Sequence, residues 1–555
     1  MKINKEWIFL GLILVLAGLL RFWKLSVVPP GLFGDEIDVG YQAYSILKTG
    51  GDYYGNFLPT YIHSLAEWRA PLFIYSTIPS IILFGLDEIG VRFSSAFFGL
   101  LGILFLFFLI KGVAKNSKLA LITAFLLAVS PWHIQYSRAA FEVTLLLALF
   151  LGGVLFFFKG FSRPSLLVLS AILLALTPYT YSTGSLFLPL ILSSLFIIYR
   201  KEILQINKKW LLLSSVLSLV VLSPFITSLV SGSAAHRFSQ ISIFSDDQTV
   251  DRLNIARTQG TSFENLFHNR PIAWGQVFTD NYLTAFSPQF LFLRGDPNSR
   301  HSSGTGELYL VLLPLILLGM LAGKKIAGSQ FYHFMIAWLV VSPVPSALTQ
   351  DGGIHATRLF LMLPPFIFFG ALGLIILWQS RGSPLKTVFM ITIIGLLLVE
   401  SSFYLHQYYI HYPKDSWRFW QYGYKEPMTF IAQHQKEYDR ILINNSYNPS
   451  LIRFLFWAKY DPEKFRGEFK GDKVEKNILP GFDGFVVGKF YFGNLNKDGN
   501  IDSLLSPKTL YLVSQKDEVP GNWDWRQKPP EGVNVLMSSV NPFGDPLFYV
   551  VKGSK

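Results

Sequence analysis

The chain alternates long apolar segments with short loops, and most basic residues before Phe403 lie in those loops. Apolar runs of about 20 residues can cross a bilayer as helices. The pattern therefore predicts a polytopic α-helical membrane protein with about 11 transmembrane helices. These centre on Trp7–Leu20, Val91–Ile110, Leu119–Val129, Phe141–Phe158, Leu166–Leu176, Leu186–Ile198, Leu211–Val230, Leu308–Leu321, Phe331–Val341, Leu359–Leu377 and Val388–Leu398.

Two long segments, at residues 24–88 and 231–306, interrupt this pattern and are expected to form large outer loops. In the first, Asp35–Lys48 predicts an amphipathic surface helix that a Gly-Gly pair closes. Pro71–Phe84 is apolar but short, so we expect it to lie in the interface or in a groove.

The distribution of charge predicts the orientation of the chain. The N-terminus and the predicted inner loops hold 15 basic residues against two acids, Glu6 and Glu202. This is the positive-inside pattern, which places the N-terminus in the cytoplasm and both large loops outside. If Pro71–Phe84 crossed the membrane, every later loop would change sides and the bias would be reversed. The expected location is the cell membrane, with several passes.

The composition changes near His406, where charges become more frequent and apolar runs shorten. Short β-like runs such as Arg440–Ile443 alternate with helical stretches such as Lys425–Glu437. We expect a membrane domain over residues 1–405 and an extracytoplasmic α/β or α+β domain over residues 406–555.

Overall composition supports the membrane assignment. Of 555 residues, 51% are hydrophobic and only 15% are charged, against about a quarter charged in soluble proteins. The net charge of +12 does not indicate a nucleic-acid partner, because the basic residues are spread over short loops between apolar runs. The chain has no cysteine, which excludes disulfides, thiol catalysis and thiolate metal ligands.

Two adjacent carboxylates, Asp35 and Glu36, follow a Pro-Pro-Gly turn at the outer mouth of the first apolar segment. Charged groups beside membrane segments are costly to desolvate and are often functional. One of them is a candidate general base. Asp35 after Gly34, with Asp38 three residues on, can equally cap the N-terminus of a helix, with further negative charge in its first turn. The two interpretations do not exclude each other.

Further polar residues gather on the same predicted outer side. Cations beside two acids suit an anionic lipid phosphate held next to a base. Each residue also has a structural explanation, such as snorkelling by Arg69 or an i,i+4 pair between Arg138 and Glu142. The selected candidates are Arg69, Arg138, Arg358, His133, His355, Glu142 and Tyr181, and the wider outer set also contains Asp38, Glu67, Asp296 and His301. A divalent metal is only weakly indicated, since no His-x-x-x-His spacing occurs, and no cofactor is assigned.

Several of these motifs together resemble the GT-C class of integral-membrane glycosyltransferases, most of all the branch with the protein O-mannosyltransferases and lipid A aminoarabinose transferases (glycosyltransferase family 39). The resemblance covers roughly residues 1–380. It rests on Gly34-Asp35-Glu36, on Trp68–Tyr75, on Ile89–Ala96, on Tyr136-Ser137-Arg138 and on His355–Arg358 before Leu363-Pro364-Pro365. Arg69-Ala70 replaces the Lys-Pro of the family, and Leu359-Phe360 follows Arg358 where Tyr is usual.

The resemblance implies a GT-C fold and inverting transfer of a sugar from a polyprenyl phosphate to an acceptor on the outer face, whose identity is open. It implies that Asp35 is the base, with Glu36 as a second catalytic or positioning group. It also implies that Arg69, Arg358 and Arg138 bind the donor phosphate. Two alternatives stay open, namely a transporter or flippase for lipid-linked sugars and a glycan-binding assembly protein of the cell envelope.

Overall fold

The computed structural model describes residues 5–65, 67–232, 238–379 and 384–554. Its membrane region is helical. The helices are α1 Lys5–Phe22, α2 Gly34–Thr49, α3 Pro71–Phe84, α4 Glu88–Ala114, α5 Ser117–Val129, α6 Pro131–Tyr136, α7 Val143–Gly160, α8 Leu166–Ala175, α9 Ser182–Leu204, α10 Lys208–Val230, α11 Asp247–Gln259, α12 Arg270–Thr284, α13 Leu312–Ala322, α14 Lys324–Ala327, α15 Ser329–Val341, α16 Val344–Ala347, α17 Ala356–Leu359, α18 Leu363–Gln379, α19 Pro384–His406 and α20 Tyr412–Asp415.

Each of the eleven predicted apolar segments overlaps one of these helices. Within the described residues, six helical segments are both long and apolar enough to cross a membrane. They are Glu88–Ala114, Val143–Gly160, Ser182–Leu204, Lys208–Val230, Ala356–Gln379 and Thr387–Asp415. The remaining predicted spans are shorter or, like α1, carry more charge, so the number of crossings stays a prediction. The last segment continues to Asp415, beyond the predicted boundary at residue 405.

Close backbone contact holds the centre of the helical region together. At Gly373 in α18, an added Cβ would lie 2.1 Å from the carbonyl oxygen of Leu315 in α13. At Gly319 in α13, it would lie 2.0 Å from the oxygen of Phe369. Small residues at helix contacts allow this approach. In contrast, α10 and α19 leave most of their apolar side chains exposed, as expected of helices that face lipid.

The first two strands, β1 Ile62–His63 and β2 Trp68–Arg69, form a small hairpin in the first loop. The C-terminal region, residues 406–555, contains a seven-stranded mixed sheet. Its strands are β3 Arg440–Asn444, β4 Glu475–Leu479, β5 Phe482–Val487, β6 Phe490–Leu495, β7 Thr509–Ser514, β8 Val533–Val540 and β9 Pro546–Gly553, and its helices are α21 Lys425–His434, α22 Ser450–Trp457, α23 Pro462–Glu468, α24 Ile501–Leu504 and α25 Gln515–Glu518. The strand order is β4-β5-β6-β3-β7-β9-β8. The central strand β3 runs parallel to β6 and β7, and the other pairs are antiparallel. This mixture agrees with the predicted α/β or α+β composition.

Helix α2 is not the surface helix that the sequence predicts. Most of its side chains are buried, because α3 and α4 pack on one side and the C-terminal region on the other. Gly40 lets Phe456 of α22 approach so closely that an added Cβ would lie 2.5 Å from its ring. The hydroxyl of Tyr41 donates to the carbonyl of Tyr460 over 3.1 Å. The C-terminal region therefore covers the helix that carries the acidic pair.

Candidate active site

The acids at the start of α2 lie on different sides of the helix. Asp35 and Asp38 are three residues apart and share one face, whereas Glu36 points the other way. Phe33 is the N-cap residue and no side chain caps the helix, so Asp35 is not a cap. Acids in the first turn still interact favourably with the helix dipole. The structure thus shows that capping α2 is not the role of Asp35.

A two-stranded hairpin brings Arg69 to this face of α2. Strands β1 Ile62–His63 and β2 Trp68–Arg69 are antiparallel, with Ile62 opposite Arg69. Arg69 is only 6% exposed, and its guanidinium contacts four carboxylates. The nitrogen–oxygen distances are 2.7 Å to Asp35, 2.7 Å to Asp38, 3.1 Å to Glu67 and 3.7 Å to Glu142.

Burial and neighbouring charges shift the pKa values of Arg69 and Asp38 in opposite directions. Burial lowers the pKa of Arg69, but Asp35 and the other carboxylates outweigh it and hold the pKa well above its usual range. Burial raises the pKa of Asp38 to about 6, although Arg69 and a hydrogen bond from Tyr53 oppose the change. Asp38 accepts that hydrogen bond at 3.0 Å. Asp35 is the accessible acid, with 49% of its side chain exposed against 8% for Asp38.

Two cavities meet at Arg69. A cavity of about 340 Å³ lies between α2 and the C-terminal region, and we call it the polar cavity because charged side chains, among them Asp35 and Asp38, line part of it. A second, mostly apolar cavity of about 140 Å³ lies against α9 and α10, and Glu142 and Tyr181 line it. Arg69 lines both cavities. Asp35 and Asp38 therefore line one cavity and Glu142 lines the other, and the guanidinium group of Arg69 is common to both.

The C-terminal region supplies a second arginine to the polar cavity. Arg453 of α22 is 2% exposed and lines the cavity together with Gln421. Its guanidinium donates to the side-chain oxygen of Gln421 and stacks over the ring of Tyr424, 4.9 Å from the centroid. Burial lowers the pKa of Arg453 below its usual range. No carboxylate of the described residues lies within 4 Å of it, so this cation faces the cavity without an ion pair.

Glu36 lies outside both cavities, in a buried ion pair with Arg92 of α4. Both side chains are 0% exposed, and two nitrogens of Arg92 contact the carboxylate at 2.8 and 2.9 Å. Glu36 also accepts the backbone N–H of Ala140 at 2.9 Å. Arg92 donates further to carbonyls of the Leu25–Gly31 turn. This geometry gives Glu36 a structural role and does not place its carboxylate in either cavity, whereas the sequence predicts a second catalytic or positioning group.

Two other candidates are likewise enclosed in the protein. Arg138 is fully buried and donates to carbonyl oxygens between Leu20 and Val28, with distances of 2.7 to 3.3 Å. His133 lies 2.6 Å from a guanidinium nitrogen of Arg21, and burial lowers its pKa well below the usual range. Neither residue lines the cavities beside Arg69. The structure therefore places neither Arg138, which the sequence predicts to bind phosphate, nor His133 beside Asp35 and Arg69.

Arg358 and His355 lie together in a different group. Arg358 donates to Thr349 and pairs with Asp351. His355 lies beside His301 and Asp296, and donor atoms of these three residues lie within 4.8 Å of one another, which suits a metal ion. Burial lowers the pKa of His355 well below its usual range, so the ring is neutral. Neither Arg358 nor His355 lines the cavities at Arg69.

The structure thus brings Asp35, Arg69, Glu142 and Tyr181 together, out of the nine selected residues. Asp38 and Glu67 belong to the same cluster, although the sequence places them only in the wider outer set. Arg453 was missed altogether. Its one signal is a cation within the otherwise apolar stretch of α22, and such a cation needs a partner when it is buried.

Comparison with protein families gives one partial match. Residues 69–227 match a family described as dolichyl-phosphate-mannose-protein mannosyltransferase. A search of curated protein sequences finds no match. The matched segment contains Arg69, Glu142 and Tyr181, but not Asp35.

Comparison with solved structures covers more of the chain. ArnT from Cupriavidus metallidurans, bound to undecaprenyl phosphate, is 13% identical with a TM-score of 0.57, over 99% of this chain and 98% of ArnT. The Archaeoglobus fulgidus oligosaccharyltransferase, tethered to an acceptor peptide, is 13% identical with a TM-score of 0.50. That match covers 82% of this chain and 63% of the oligosaccharyltransferase, so the chain spans less than two thirds of that protein.

ArnT and the mannosyltransferase family belong to the GT-C class. The motifs of the first loop and of the later outer segments resemble this same class. The similarity to ArnT extends over nearly the whole chain, including the C-terminal region. The chain therefore has the fold of a GT-C membrane glycosyltransferase.

Proposed function

We propose that this protein is an inverting glycosyltransferase that moves a sugar from a polyprenyl-phosphate donor to an acceptor on the outer face of the membrane. One observation carries the proposal. A buried arginine, Arg69, lies between an apolar cavity and a polar cavity, and an accessible carboxylate, Asp35, lies on its polar side.

The apolar cavity suits the lipid-linked donor. Leu186, Phe225 and Leu229 line it, and Leu229 belongs to α10, whose apolar side chains are mostly exposed. An isoprenoid chain can reach such a cavity from the bilayer. The donor phosphate would then contact Arg69 from the side of Glu142, whose distance of 3.7 Å is the longest of the four ion pairs. A phosphate can replace this contact more easily than the others.

The polar cavity suits the acceptor. An acceptor hydroxyl there would attack the anomeric carbon of the sugar and form the new glycosidic bond. The bond from that carbon to the phosphate oxygen breaks, and the lipid phosphate leaves with the electron pair. Asp35 takes the hydroxyl proton, and Arg69 stabilises the charge of the leaving phosphate. Attack opposite the leaving group inverts the anomeric configuration. Glu142 lies on the donor side of Arg69, which favours Asp35 as the base.

Reconstituted protein tests this function against its alternatives. The full chain in sealed vesicles receives polyprenyl phosphates that carry radiolabelled sugars, together with an extract of the lipids and glycans of the cell envelope. We expect the label to become covalently attached to an acceptor and free polyprenyl phosphate to accumulate. Movement of the intact donor across the vesicle wall without transfer would instead support a flippase. Glycan binding with neither reaction would support an assembly protein.

The outer position of Asp35 is tested by labelling, which the absence of cysteine makes simple. Phe57, which is 76% exposed and lies in the same predicted outer loop as Asp35, is replaced by Cys in one variant (Phe57→Cys). Lys201, in a predicted inner loop, is replaced by Cys in the other (Lys201→Cys). A membrane-impermeant maleimide should label the Phe57→Cys variant in intact cells. The Lys201→Cys variant should be labelled only after the cells are permeabilised. The opposite result would place the acidic cluster on the cytoplasmic side and exclude transfer on the outer face.

A further inference from the structure

A second group of ionisable residues lies where the loop after α12 folds against α17. Asp296 and His301 belong to this loop, and His355 immediately precedes α17. His301 Nδ1 lies 2.8 Å from Asp296 Oδ2, and the rings of His301 and His355 are 4.8 Å apart between centroids. These residues line neither of the two cavities at Arg69.

Two acids of this group are buried, and an imidazole, His301, is the partner of one of them, Asp296. Asp296 is 6% exposed and Glu307 is 2% exposed. Glu307 accepts the backbone N–H of Asp296 at 3.1 Å, so the two acids are close. Among the residues that the structure describes, no Lys or Arg nitrogen lies within 4 Å of either carboxylate. Burying an ionised acid is unfavourable, so a cation bound beside Asp296 would stabilise its carboxylate.

His355, the third residue of this group, provides an independent observation that points to a ligand. His355 Nδ1 is buried and has no hydrogen-bond partner among the described residues. A buried polar atom without a partner is rare in native proteins and needs an explanation. A metal ion bound to this ring would provide one.

We propose that Asp296, His301 and His355 bind a divalent transition-metal ion of the Zn²⁺ type. Two imidazoles with one carboxylate are a donor set that zinc and similar metals prefer. Magnesium and calcium prefer oxygen ligands, so this set selects against them. Ligand atoms within 4.8 Å of one another can converge on one ion after small side-chain movements.

The proposed metal would fix the loop that contains Asp296 and His301 relative to its neighbouring elements. Asp296 accepts the backbone N–H of Ala356 at 2.9 Å, which already joins the loop to α17. Next to His301, the guanidinium of Arg300 stacks over Phe33 at 5.0 Å, and Phe33 is the N-cap residue of α2. A metal ion would therefore hold this loop, α17 and the start of α2 in fixed positions. Its role is structural, because the site is separate from both cavities.

Metal content and thermal stability test this proposal without any transferase assay. The full-length protein is purified in detergent, stripped with a chelator, and then dialysed against Zn²⁺ or Mg²⁺. Elemental analysis should find one zinc ion per chain in the wild type, and zinc should raise the melting temperature, since a ligand that binds only the folded state stabilises it. Magnesium should do neither.

Substitutions then identify the ligands. His301→Gln and His355→Gln should each abolish stoichiometric zinc binding and the thermal shift. The control His333→Gln alters an exposed histidine in α15 and should retain both. Absence of zinc from the wild type, or full zinc content in both ligand variants, would overturn the proposal. The zinc content of the wild type is measured without any variant, so the proposal can be overturned even if a variant folds poorly. Failure of sugar transfer would not affect either measurement.

Discussion

Replacement of Asp35 by Asn should lower the rate of sugar transfer by about 10²–10⁴-fold, the usual contribution of a general base. Asparagine has nearly the same shape as aspartate but cannot take the proton of the attacking hydroxyl. The side chain is 49% exposed, so the folded protein should lose little stability. Donor binding should be retained, because Arg69 keeps its other three carboxylate contacts. Initial rates at saturating donor, with thermal unfolding of the same samples, measure both effects.

Glu36→Gln is the matched comparison, since it changes the neighbouring acid of the same helix. This change leaves the buried charge of Arg92 without its partner and should destabilise the protein by about 3–5 kcal/mol. Any loss of transfer should follow the loss of folded protein. Asp498→Asn, at an exposed acid of the C-terminal region, should change neither property. Transfer at the wild-type rate by Asp35→Asn would remove Asp35 from the reaction.

The contrast between Asp35 and Glu36 shows how far the sequence can predict this site. The apolar segments correctly indicate the helices, and the resemblance directs attention to the first loop, where Asp35 and Arg69 lie 2.7 Å apart in the structure. Which of two adjacent acids faces a cavity depends, however, on what packs around α2. That is decided by Arg92 from α4 and by the C-terminal region, which are 56 and more than 400 residues away in sequence. Local pattern contains no such information.

The same limit explains the other misplaced candidates. Arg138 and His133 are predicted to lie on the same outer side of the membrane as Asp35. This shared side is the reason to expect all three residues in one cavity. In the structure, Arg138 instead donates to several backbone carbonyls of the turn after α1. Arginine has five donors and can satisfy buried carbonyl groups as well as a phosphate. Residue type and sidedness alone cannot distinguish these two uses.

Arg69 variants should show the second large effect. Arg69→Lys keeps the positive charge but loses the planar fork that contacts Asp35 and Asp38 at the same time, both at 2.7 Å. We expect transfer to fall by about 10²–10³-fold, a typical loss when one group that stabilises transition-state charge is removed. The fall should appear in kcat/KM for the donor, because the lysine also has to contact the donor phosphate. Steady-state kinetics at varied donor concentration measure it.

Arg69→Gln separates the catalytic role of the charge from its structural role. Without the guanidinium, Asp38 and three neighbouring carboxylates repel one another, so this variant should lose stability as well as activity. The lysine variant should remain folded. Arg526→Gln removes the ion pair with Asp524 in the C-terminal region, away from both cavities at Arg69, and serves as the control for loss of an arginine. If Arg69→Lys has the donor kcat/KM of the wild type, the leaving phosphate is held elsewhere, and Arg69 serves only to hold the carboxylates together.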